Sequence, residues 1–145
     1  MAAARAAARF SKSMEVALAS VNLSLPQYRL LAFLSGGPER ATALAKRLDV
    51  SPPSLTALVD GAVARQLVER LTAEEDRRSV RHVITPIGAE ALAKADDAVS
   101  ARLAGVTEHL SPSQAKKCLE GLELLGRAMD LSRASRDMQP AGDRT

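Results

Sequence analysis

The side chains able to do chemistry are few and dispersed. Cys118 is the single cysteine, and His82 and His109 are the two histidines, far apart and without a carboxylate cluster at metal-ligand spacing. An internal disulfide framework and a cysteine-rich zinc centre are therefore excluded. The chain carries no G-x-S-x-G elbow, phosphate loop or dinucleotide glycine fingerprint, and no Cys and His pair placed for nucleophilic attack. It reads as a non-enzyme with no cofactor and no metal. Charge and hydroxyl chemistry remain. Arg77, Arg78 and Arg81 sit beside Glu74, Glu75 and Asp76, while Thr42, Ser51 and Ser54 lie at the starts of two predicted helices. Such groups bind phosphate oxygens when a fold collects them on one surface, and otherwise pair with one another in water.

The elements that would collect them follow from periodicity. Phe10, Met14, Ala17, Leu18 and Val21 recur at helical spacing and predict a first helix over about 5–22. Ser24 and Gln27 have capping-box spacing and open a second helix through Leu30, Leu31 and Leu34, stopped by Gly36, Gly37 and Pro38. A third helix covers about Thr42 to Leu48, and Asp49 and Val50 form the turn after it. Ser51, Pro52 and Pro53 announce a fourth, because serine caps free amides and proline at the first position leaves none unsatisfied. Leu55, Leu58, Val59 and Ala62 mark its buried side, which turns Pro53, Thr56, Ala57, Asp60 and Ala64 outward.

From Leu67 the period becomes two, and a second alternating run covers Val80 to Thr85, predicting two antiparallel strands. The polar stretch Thr72 to Ser79 between them reads as a flexible loop. Alternation puts His82 on the side of Val80 and Ile84, where an apolar residue would be expected; either it is a hydrogen-bonded buried histidine or it senses pH or a ligand. Thr85 and Pro86 start a long helix with a seam at Leu92, Val99, Leu103, Val106 and Leu110. A last helix opens at Ser111, Pro112 and Gln114, with Ala115, Cys118, Leu119, Leu122, Leu125 and Met129 on one stripe, so the Cys118 thiol is expected to be buried and inert. Residues 136–145 read as a polar, flexible tail.

Composition bounds the partners. At 145 residues and 46% hydrophobic, the chain suffices for a single domain, and the absence of a long apolar run predicts a soluble cytoplasmic protein with no membrane contact. Its net charge is only +3, so bulk charge proves nothing about nucleic acid. With no Trp, one Tyr and two Phe, base stacking on aromatic platforms is disfavoured, and a duplex partner is favoured over a single strand.

Helix, helix, helix-turn-helix, hairpin and two long helices form a mainly α winged helix-turn-helix with a small two- to three-stranded antiparallel sheet. The stretches Leu25-Pro26-Gln27-Tyr28-Arg29-Leu30-Leu31, Ser51 to Asp60 and Leu67-Val68-Glu69-Arg70 resemble the MarR family of bacterial transcription regulators. The most specific part is Asp76-x-Arg78, then five residues, then Ile84-Thr85 and Gly88. The resemblance implies a DNA-binding lobe over 24–88 and dimerisation helices over 1–23 and 89–135. It implies a homodimeric repressor on a pseudo-palindromic operator, each fourth helix in a major groove and each hairpin loop, or wing, at a minor groove. A narrow minor groove attracts arginine, a role the resemblance gives to Arg77 or Arg78, with Asp76 bracing the wing. It also implies a small aromatic or amphipathic effector near Tyr28, Arg29, Leu31, Phe33 and Ile87.

The departures bear on recognition. Relatives often carry basic side chains at the positions of Ala57 and Gly61, so direct readout by the fourth helix is thin. Ala57, Pro53 and Thr56 can touch thymine methyls, and Ser51, Ser54 and Thr42 can bind phosphates, which weights recognition toward shape and the wing. Gln66 stands where a glycine would relieve a left-handed turn. The bare fourth helix leaves a second reading open: a helical dimer that has lost specific DNA binding and serves as a protein-interaction module.

Overall fold

The computed structural model describes the backbone of residues 1–73 and 76–138 and the side chains of residues 1–72 and 80–135. It divides into two compact units, Met1–Arg102 and Leu103–Thr145.

In the first unit, α1 (Ala2–Ala19) starts and ends about three residues earlier than its apolar spacing predicts, and buries Ala17 and Leu18. Its Ala-rich start carries no period, so the pattern alone could not place that end. The capping box forms as expected: Ser24 Oγ accepts from the Gln27 amide and Gln27 Oε1 accepts from the Ser24 amide, opening α2 (Leu25–Leu34). Leu30, Leu31 and Leu34 on α2 join Leu18, Leu44, Leu48, Leu55, Val59 and Val68 in the core. Each such side chain contributes about 1.5–3 kcal/mol by leaving water, enough to fix the helix-turn-helix against α2.

Two residues after the Gly36-Gly37-Pro38 stop form a strand that alternation did not reveal, β1 (Glu39–Arg40), followed directly by α3 (Ala41–Leu48). A two-residue strand has no detectable period. Asp49, in the left-handed region at φ 57°, ends α3, and Ser51 caps α4 (Pro52–Ala64). The strands β2 (Val68–Ala73) and β3 (Asp76–Ile84) complete an antiparallel sheet of order β1-β3-β2. His82 is the register partner of both Glu39 and Arg70.

The expected flexible loop over Thr72 to Ser79 is corrected: Thr72, Ala73 and residues 76–79 have strand backbone, with a register irregularity between Thr72 and Ala73. Polarity alone suggested a loop, yet ladder hydrogen bonds need no apolar side chain, and a bulge accommodates the extra residues. Glu74 and Glu75 lie outside the described residues.

Helix α5 (Pro86–Thr107) begins in the first unit, where Ala95 and Val99 are buried, and runs into the second. The second unit consists of the end of α5 and α6 (Pro112–Met138), which opens on a further capping box between Ser111 and Gln114. Cys118 on α6 is exposed, correcting the expected burial. A periodic stripe shows which residues share a helix face but not whether anything covers it. Among the described residues, no helix is long and apolar enough to cross a membrane.

Candidate nucleic-acid interface

The local chemistry of Ser51 sets the start of α4. Its Oγ accepts from the Ser54 amide at 3.3 Å and lies 2.9 Å from the Ser54 hydroxyl, so both hydroxyls gather at the helix N-terminus. Leu55, Val59 and Ala62 point inward. Pro53, Ser54, Thr56, Ala57, Asp60, Gly61 and Ala64 are exposed, as is Thr42 in the first turn of α3. The Thr56 hydroxyl donates to the Pro52 carbonyl at 3.0 Å, which leaves its methyl and oxygen lone pairs to meet a partner.

Beside α4 stands the hairpin. Asp76, Arg77 and Arg78 have strand backbone in β3, and their side chains lie outside the described residues. The helix and hairpin are tied by a pair that the sequence reading did not single out: Arg70 Nη2 on β2 donates to Asp60 Oδ1 on the outward side of α4. Alternation could place Arg70 opposite Leu67, Glu69 and Leu71, but nothing local in sequence joins it to a residue ten positions back.

The second half of the Asp-x-Arg signature has a structural explanation. Thr85 Oγ1 donates to the Gln66 carbonyl at 2.6 Å and accepts from the Gly88 amide at 2.9 Å, while the Thr85 amide donates to the Leu67 carbonyl at 3.1 Å. Gln66 holds the left-handed conformation at φ 59° without being glycine. A Cβ on Gly88 would lie 2.0 Å from the Leu67 carbonyl oxygen, so this corner requires the missing side chain. Thr85 and Gly88 thus join the turn after α4 to the start of α5, which orients the hairpin relative to α4.

His82 lies 5% exposed behind this surface. Its Nδ1 is 3.3 Å from the Glu39 carbonyl oxygen. Burial holds its pKa below the usual value of 6.5; the Glu39 hydrogen bond opposes that shift and the Arg70 charge adds to it. Glu39 also accepts from Arg47 at 3.0 Å, and the Arg47 guanidinium stacks 4.8 Å from the Phe33 ring centre.

The residues expected around an effector have different surroundings. Tyr28 donates to Asp96 Oδ1 at 2.7 Å, and burial, then the Asp96 hydrogen bond and charge, push its phenol up to about 12. Leu31 is fully buried, Phe33 lies under Arg47, Arg29 is half-buried and Ile87 is exposed. A shallow cleft of about 420 Å³ lies between α1 and α2, lined by Glu15, Ala19, Asn22, Leu23, Ser24, Leu25 and Pro26. Among the described residues, no group of three or more His, Cys, Asp or Glu could hold a metal.

A helix-turn-helix followed by a β-hairpin, with α4 presenting a small exposed face, defines the winged helix-turn-helix class. The MarR family model matches residues 21–79. YhbI of Bacillus subtilis, an HTH-type transcriptional regulator, is 32% identical over 104 residues, 71% of this chain and 68% of that protein. YpoP of the same organism, also an HTH-type regulator, is 37% identical over 71 residues, 48% of this chain; the match spans only 50% of YpoP. Among solved structures, the transcriptional repressor CouR bound to a 23-mer DNA duplex has 28% identity and a TM-score of 0.72, covering 86% of this chain and 89% of its own. The Mycobacterium tuberculosis MarR-family protein Rv2887 in complex with salicylic acid has 25% identity and a TM-score of 0.69, covering 83% and 90%. The chain belongs to the MarR family. It is a transcription regulator of a DNA-binding, non-enzymatic class.

Proposed function

We propose that this chain acts as a homodimeric repressor on a pseudo-palindromic duplex, reading it with α4 and the β2–β3 hairpin. The observation that carries this reading is the exposed face of α4, small and furnished with hydroxyls, beside a hairpin tied to it through Asp60 and Arg70. In this reading Pro53, Thr56 and Ala57 meet base edges in the major groove, and Thr42, Ser51 and Ser54 meet phosphates. Arg77 and Arg78 serve the minor groove and Asp76 braces them, with the lobe over 24–88 flanked by dimerisation segments. CouR, a repressor solved on duplex DNA, supports this reading by its similarity.

Relief by a small aromatic acid is the second part of the proposal, supported by the salicylic acid complex of Rv2887. Tyr28, Arg29 and Ile87 keep accessible surface for such a ligand, whereas Leu31 has none and Phe33 is engaged by Arg47. A ligand releases DNA only through its preference for the DNA-incompetent state, and tenfold release requires about 1.4 kcal/mol of that preference.

Fluorescence anisotropy of the full chain on its own upstream intergenic duplex, against a scrambled duplex at about 150 mM salt, tests the reading. The expected result is at least about 10³-fold tighter binding to the upstream duplex, weakened by Arg78→Ala and by added salicylate. Equal weak binding to both duplexes by a folded protein would overturn it in favour of the protein-interaction module.

A further inference from the structure

We propose that Arg70 is a DNA-backbone contact masked in the free protein by Asp60, and that removal of the mask by a correctly placed phosphate helps this chain discriminate its site. The inference rests on the DNA-binding reading and adds to it a pair of residues that decides specificity.

Asp60 is the one charged residue between Ser51 and Ala64, and it lies on the exposed side of α4 with Pro53, Thr56, Ala57 and Ala64. Alone, a carboxylate there would repel the phosphates that the face must approach. Arg70 from β2 neutralises it, and because the guanidinium reaches the Asp60 carboxylate it too lies at the outward side of α4. Helix α4 itself carries no Lys or Arg, and a cation is thus supplied to its outward side from the neighbouring strand. Both side chains remain accessible, Arg70 at 40% and Asp60 at 57%.

An exposed ion pair contributes little because water screens it. Guanidinium to phosphate is a stronger, frequently bidentate contact, so a phosphate delivered to Arg70 displaces Asp60. A duplex whose shape does not deliver a phosphate there meets a neutral pair with no net attraction. The pair therefore lowers affinity for arbitrary DNA more than for the matching site.

Three variants, two that remove a charge and one that keeps it, separate this from a purely structural tie. Anisotropy titrations of the full chain on upstream and scrambled duplexes, over about 50–300 mM salt, give both affinity and its salt slope. Asp60→Asn is expected to bind the scrambled duplex about threefold tighter or more, narrowing discrimination. Arg70→Gln is expected to bind the upstream duplex more weakly, with a log-log salt slope shallower by about 0.9 per protomer, the loss of one neutralised phosphate. Arg70→Lys, which keeps the charge, is expected to retain the wild-type slope. A wild-type slope in Arg70→Gln, or weaker binding of Asp60→Asn to both duplexes, would overturn the proposal while wild-type discrimination left the DNA-binding reading intact. No discrimination by the wild type would overturn both. Melting curves check each fold, and should Arg70→Gln unfold, Asp60→Asn and Arg70→Lys still decide.

Discussion

Burial holds His82 in its neutral form, which gives the fold a pH dependence of determined sign. The groups facing it are the Glu39 carbonyl on β1, with the Glu39 carboxylate engaged by Arg47, and Arg70 on β2. An unfolded histidine takes up its proton near pH 6.5, whereas in the fold this requires a lower pH. Stability from this residue is therefore fully present above about pH 6.5 and lost as pH falls from there through the lowered folded value. Urea unfolding of wild type and His82→Gln at pH 8, 6.5 and 5 is expected to show wild type losing more stability than the variant across the lower interval. Parallel losses would show that His82 does not titrate as its burial requires. The place of His82 on the inward side was legible from alternation, but its carbonyl partner was not, because β1 is two residues long. The exposure of Cys118 is not legible for the converse reason: its stripe is visible in the sequence, but whether anything covers that stripe is not.

At the scale of elements, two helical glycines of the same type in sequence have opposite roles in space. Gly61 lies in the last turn of α4 with nothing within 4 Å of where its Cβ would be. Gly61→Ala should therefore recover helix propensity, stabilising the protein by up to about 1 kcal/mol, the value for a helix interior. Gly88, in the first turn of α5, faces the Leu67 carbonyl oxygen at 2.0 Å from the position of an added Cβ. Gly88→Ala must push backbone apart at the Thr85 corner and is expected to destabilise by about 1–3 kcal/mol or more. Denaturant melts at one fixed protomer concentration check both signs; equal effects would mean that the corner yields more readily than its hydrogen bonds imply. Helix starts were legible where a cap announced them, at Ser24, Ser51 and Ser111. The hairpin was legible in kind but not in extent, since the polar residues from Thr72 to Ser79 give no inward-outward pattern to distinguish strand from loop. The Asp60–Arg70 pair joins two elements through side chains alone, and no local period encodes it.

At the scale of the molecule, α6 leaves Leu119, Leu124, Leu125, Met129 and Leu131 between 40% and 70% exposed. Leaving such side chains in water forfeits the burial that stabilises the rest of the chain. The proposed homodimer supplies a second copy as their cover. Of these, Leu119, Leu125 and Met129 were legible in sequence as part of one stripe, whereas Leu124 and Leu131 lie off it; a covering partner was not legible, since a second copy has no signature in the first. Leu124→Glu with Leu125→Glu is expected to convert a dimer into a monomer in sedimentation equilibrium at about 10 μM. Engaging two half-sites gives an avidity of about 10²–10⁴ over one, so the variant should lose about that much affinity for the upstream duplex. The far-ultraviolet dichroism of the helix-turn-helix core should persist, since its buried leucines lie within Met1–Arg102. Wild type should also melt at higher temperature as protomer concentration rises, a dependence that the variant lacks. A wild type that stays monomeric at 10 μM yet binds its duplex with full affinity would refute the two-headed geometry, and a single lobe would then have to account for all of the recognition.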